Sequence, residues 1–119
     1  MRLAWLSVLV PALAAASPAA AQQPVQVPSD PQARYQLLDM AWTPDGAVEL
    51  LTRRDGLSGT SFALREVDCR GGRVRYLGLG DTREKAMQRT TRDQPAPIFE
   101  GSVSWHVARF ACREASAPP

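Results

Sequence analysis

The sequence predicts an α+β domain: an antiparallel β-meander of about four strands, a short surface helix and a C-terminal helix packed on the sheet, with one disulfide. Three observations predict it. Strand-like runs separated by turn residues fill the chain from Arg34 to Leu79. A capping pattern at Asp81 opens a short helical stretch. The run that ends at Cys112 carries apolar residues at helical spacing, and Cys69 is available to fasten its end.

The chain opens Met1-Arg2 and enters an apolar stretch from Leu3 to Ala16. Ala19-Ala20-Ala21 then gives the small-x-small pattern that signal peptidase accepts. Residues 1–21 therefore read as a cleavable secretory signal cut after Ala21, which directs the product to the periplasm or outside the cell. The alternative, an N-terminal membrane anchor, is disfavoured by length, because Ser7 and Pro11 interrupt a run already shorter than the roughly 18 apolar residues of a span. With no Cys near the cut, a lipid anchor is not expected. Residues 22–33 contain Pro24, Pro28 and Pro31 among polar residues and read as an extended, flexible spacer. The domain is expected over 34–113, and residues 114–119 as a disordered tail.

Within the domain, the first strand is expected from Arg34 to Trp42, where Tyr, Leu, Met and Trp are concentrated. Pro44-Asp45-Gly46 supplies a turn, with Pro setting φ and Gly free to take positive φ. A second strand follows over Ala47–Arg53, ended by Asp55-Gly56 and Ser58-Gly59. Thr60–Arg70 and Arg73–Leu79 flank Gly71-Gly72, which suits a two-residue hairpin turn. That turn predicts a register in which Arg70 faces Arg73, Cys69 faces Val74, Asp68 faces Arg75 and Val67 faces Tyr76.

After Gly80, Asp81 with Glu84 three residues on resembles a capping box, so a short surface helix is expected from Thr82 to about Arg89. Pro95 and Pro97 enforce an extended connection. The last element, Ser102–Cys112, fits two periods. Val103, Val107, Phe110 and Ala111 form one helical face behind Ser102 as N-cap, whereas Val103, Trp105 and Val107 alternate as a strand would. Arg109 and Phe110 break the alternation, which favours helix.

Charge excludes one class of partner. Fourteen basic residues against 12 acidic ones give a net charge of +2, far from the excess of a nucleic-acid binder. His106 is the only histidine, so Ser–His, Cys–His and general-base schemes must all pass through it. Ser102 lies one helical turn before it, but an N-cap hydroxyl is engaged in capping and no acid nearby orients the imidazole. No catalytic residue is assigned. Two sulfurs and one imidazole cannot supply four ligands, so no metal site is expected. Gly78-Leu79-Gly80 lacks the third glycine of a dinucleotide loop and the Lys-Ser/Thr of a P-loop, so no cofactor is expected and the segment reads as a corner that needs small residues. In an exported protein Cys69 and Cys112 are expected to form one disulfide, with free thiols or an intermolecular bond as alternatives. Arg65, Arg70, Arg73 and Arg75 form the candidate binding patch, interleaved with Glu66 and Asp68. Trp42 and Trp105 would join it only if both were exposed.

The order of residues is also familiar. Thr60-Ser61-Phe62-Ala63-Leu64-Arg65-Glu66-Val67-Asp68-Cys69, then Val74-Arg75-Tyr76-Leu77-Gly78, Gly80-Asp81-Thr82, Gly101-Ser102-Val103-Ser104 and Cys112 resemble the surface-adhesin protein E family over about Leu37 to Cys112. The resemblance implies an exported bacterial protein, an antiparallel sheet with a packed helix, and a bond from Cys69 to Cys112. It also implies a protein partner, because the family includes a lipid-anchored adhesin of host matrix and serum proteins. The lack of a lipidation Cys departs from that member, and no binding residue carries over. The expected function is thus a non-enzymatic binding module with a protein partner. The alternative is a periplasmic accessory that binds a small ligand or assists envelope assembly.

Overall fold

Strands β2 (Arg34–Trp42), β3 (Val48–Gly56), β4 (Gly59–Asp68) and β5 (Arg73–Gly80) form the antiparallel meander that the turn residues announce. The structure is a computed structural model and describes residues 22–116, with positions 4 and 7 besides. The rest of the expected export signal, and residues 117–119 of the expected tail, lie outside the described residues.

Two further strands raise the expected four to six. β1 (Gln23–Val25) pairs with β2 at one edge, Gln23 opposite Leu37 and Val25 opposite Tyr35. β6 (Ala96–Pro97) pairs with β5 at the other, Pro97 opposite Arg73. Both contain proline, which an edge strand tolerates because one side of it needs no ladder N–H. The expectation of a mobile spacer over 22–33 is corrected here. Val25 and Val27 are buried in the main core, and Asp30 accepts bonds from Tyr35 Oη at 2.6 Å and Arg54 Nε at 2.9 Å. Polar composition hid two alternating valines that have a sheet to bury against.

Helices cover the sheet unequally. The register sets Leu50 opposite Arg65 and Leu51 opposite Leu64, so successive residues of β3 serve opposite faces. Val48, Leu50 and Val67 pack with Val107, Ala108 and Ala111 of α2 (Val103–Ser116). On the other side Leu38, Leu51, Leu64 and Leu77 pack with Ala86 of α1 (Arg83–Met87). Full burial of one such aliphatic side chain contributes about 1.5–3 kcal/mol. A β-bulge between Leu64 and Arg65 lets β5 place Leu77 and Gly78 beneath α1.

The β4–β5 hairpin is shifted by two residues from its expected register. Asp68 faces Arg73, Val67 faces Val74, Glu66 faces Arg75 and Arg65 faces Tyr76. The side of each residue is conserved by an even shift, but every partner changes. Asp68 is the cause: its Oδ1 accepts from the N–H groups of Arg70 and Gly71 at 3.0 and 2.9 Å. This local turn takes Cys69 and Arg70 out of the ladder, and Gly72 (φ 64°) completes the loop, its N–H bonded to Asp68 O at 2.9 Å.

The capping residue of α1 also differs from expectation. Thr82, with extended backbone, accepts the Lys85 N–H at 3.2 Å, while Asp81 pairs through its carboxylate with Lys85 Nζ at 2.8 Å. Thr82→Ala should therefore lower stability by about 1 kcal/mol. Asp81→Ala should cost less, because its ion pair with Lys85 is solvent-exposed. Urea unfolding of both variants checks the order, and the reverse order would restore Asp81 as the cap.

The C-terminal element is the helix. Ser102 Oγ accepts the Trp105 N–H at 3.1 Å, and Gly101 (φ 82°) turns the chain into it. The helix runs on to Ser116, so residues 114–116 are helical and not the start of a disordered tail. Cys112 meets Cys69 in a disulfide with Cα atoms 5.7 Å apart, within the usual range.

Candidate functional site

At one end of the sheet the β2–β3 turn, the β4–β5 loop and the disulfide converge. Thr43 begins the first of these: its hydroxyl donates to Asp45 and accepts the Ala47 N–H at 3.0 Å, and Gly46 takes φ 86°. The turn leaves Trp42, at the last position of β2, 59% exposed. Between the two loops lies a groove of about 660 Å³, lined by Trp42 and Asp45 from the first, Arg70 and Arg73 from the second, and the Cys69–Cys112 bridge.

The electrostatics of the groove are set by which charges are already paired. Arg75 donates to both oxygens of Glu66, at 3.0 and 3.1 Å, a fork-to-fork pair that keeps the guanidinium protonated above its ordinary value. The Thr43 hydroxyl holds the Asp45 carboxyl below its usual range, helped by a backbone bond and the charge of Arg75. Asp68 is occupied by the loop amides. Arg70 and Arg73 are exposed and make no salt bridge among the described residues. The groove thus offers a broad indole face beside two guanidinium groups that still have donors to give. Trp and Arg are the residue types that most often anchor protein interfaces, by apolar contact and by bidentate bonding to carboxylates.

Only part of the expected patch is brought together. Arg70, Arg73 and Arg75 line the groove, but Arg65 does not. It is 4% exposed, lies on the α2 side, donates to Thr52 Oγ1 at 2.7 Å and stacks over the Tyr76 ring at 4.9 Å. Alternation carried the signal: Arg65, Val67 and Cys69 are two apart, so whatever face buries Val67 also receives Arg65. Trp105 stays apart from Trp42, half-buried on α2 with Arg109 over its ring at 4.3 Å. Proximity in sequence could not reveal the exposure of Trp42, which depends on where the β2–β3 turn ends the sheet.

The other sequence candidates have structural occupations. Ser102 Oγ donates to Phe99 O at 2.7 Å while capping α2, so it is engaged on both sides. His106 meets Trp105 edge to face. Gly78 and Gly80 lie directly beneath α1. Among the described residues there is no cluster of three or more His, Cys, Asp or Glu able to hold a metal ion, and no helix long and apolar enough to cross a membrane. No protein-family model, no curated protein and no solved structure matches the chain.

Proposed function

We propose that the protein is an exported, non-enzymatic binding module of the surface-adhesin E type, which engages a protein partner through the Trp42–Arg70–Arg73 groove. The observation that carries the reading is the groove itself: an exposed Trp beside two arginines without salt bridges among the described residues, with the β4–β5 loop tied to α2 by a disulfide. A rigid rim lowers the ordering cost of association, and the indole supplies apolar area to desolvate. The unpaired guanidinium groups favour an acidic segment on the partner. The A-x-A pattern at residues 19–21 supports export, as does a disulfide, which persists in oxidising compartments. The six-stranded meander backed by α2 and the Cys69–Cys112 bond agree with what the family resemblance implies.

Capture from an envelope extract tests this when the protein is compared with its own groove variants. Trp42→Ala should weaken recovery of the captured partner at least tenfold, equivalent to about 1.4 kcal/mol, and Arg70→Ala with Arg73→Ala should add a dependence on salt. Thermal melts should leave both variants folded, because these side chains are exposed. A partner recovered equally by the unaltered protein and by Trp42→Ala would place binding elsewhere.

A further inference from the structure

Arg65 presents a problem that the groove does not explain. A buried guanidinium is ordinarily paired with a carboxylate, since the charge loses water on burial and must be compensated. Arg65 makes no salt bridge among the described residues. Its partners are neutral hydroxyls, Thr52 Oγ1 at 2.7 Å and Tyr76 Oη at 3.3 Å, and its buried Nε has no partner. The nearby Asp30 does not serve, because it is committed to Arg54 and Tyr35.

Arg65 borders a cavity of about 370 Å³ between the sheet and the start of α2. Tyr76, Ala63, Leu79 and Val103 supply much of the remaining wall. Val103 is the first residue of α2, whose first turn holds no acidic residue, so the positive end of the helix adds to the field of Arg65. The Tyr76 phenol registers that field. Burial raises it, yet the charge of Arg65 and bonds to Ser104 and Arg65 carry it below its ordinary value, against the opposing charge of Asp93.

We propose that this cavity binds a small organic acid, its carboxylate facing the Arg65 guanidinium and its apolar body lying along Ala63, Leu79 and Val103. A carboxylate supplies the missing counter-charge in the geometry a guanidinium prefers. The apolar walls favour a hydrocarbon or aromatic body over a fully hydrated inorganic anion, and the volume lies at the small end of ligand sites. This site lies apart from the groove, so its failure leaves the protein-binding reading untouched.

The test is titration of the protein with benzoate and octanoate against benzamide and octanol, with inorganic phosphate at matched ionic strength. The Arg65 Nε–H resonance and the melting temperature are followed together. The acids should shift the resonance saturably and raise the melting temperature, and the neutral isosteres and phosphate should do neither. Arg65→Met should abolish the response to the acids while the fold is retained. The proposal is overturned if the acids leave the resonance unmoved, if the isosteres act like the acids, or if phosphate binds as well as benzoate. It is overturned equally if a folded Arg65→Met binds as before. Should that variant not fold, the acid-against-isostere comparison on the unaltered protein decides alone.

Discussion

Replacing Cys69 or Cys112 by Ser will lower the unfolding free energy by about 4 kcal/mol, and the two variants will lose nearly the same amount. The bond joins residues 43 apart, so its removal returns a long closed loop to the unfolded chain. Small domains have about 5–15 kcal/mol in all, which makes this a large fraction of the total. The loss should also have a location. α2 is held at its middle by Val107, Ala108 and Ala111, but its later residues are fastened to the β4–β5 loop by Cys112. Hydrogen exchange should therefore accelerate first in the last turns of α2 and in residues 69–72. A double variant should be no worse than either single one, because both singles already break the same bond. Urea unfolding under non-reducing conditions checks the magnitude. Losses below about 1 kcal/mol, or plainly unequal ones, would mean that the bridge is not what anchors α2.

The central meander was legible because its signals are local. Pro44-Asp45-Gly46 and Gly71-Gly72 lie between strands as expected, and Ser102 caps a helix from its own position. β3, in contrast, runs past its expected end at Arg53 through Asp55-Gly56, which pair with Thr60 and Gly59, and turns at Leu57-Ser58. What escaped depends on contacts between distant residues or on competition between equivalent neighbours. Gly71-Gly72 fits a two-residue turn as well as the four-residue loop, and the Asp68 side chain decides between them. Asp81 and Thr82 are both good caps, and only one of them has its backbone at the right place. β1 and β6 are two or three residues long and contain proline, so they exist as strands only because a longer neighbour accepts them. The candidate patch is divided by the sheet. Four arginines close in sequence look like one surface, but strand alternation sends Arg65 to the core side and leaves Arg70, Arg73 and Arg75 at the sheet end. The exposed Trp42 that completes the groove comes from a different hairpin altogether.

The second large effect is expected at Gly78, where Ala should cost about 3 kcal/mol. A Cβ there would stand 1.7 Å from the carbonyl oxygen of Ala86 and 2.8 Å from its carbon. Both atoms are backbone, so no change of rotamer relieves the clash, and either α1 lifts from β5 or the strand gives way. Ala86 is fully buried over Leu38, Leu51, Leu64 and Leu77, so lifting α1 also opens that cluster to water. Gly46 provides the contrast. Nothing lies within 4 Å of a Cβ at that position, but its φ of 86° is one that an L-residue adopts at a penalty. Gly46→Ala should therefore cost only about 1 kcal/mol, from backbone conformation alone. The two variants should also differ in kind. Gly78→Ala should disturb NMR signals of Leu51, Leu64 and Ala86 and leave those beside the disulfide in place. Gly46→Ala should disturb Trp42 and Asp45, and with them partner capture. If Gly78→Ala proved no worse than Gly46→Ala, α1 would not be seated on β5, and the face of the sheet that holds Leu51 and Leu64 would need another cover.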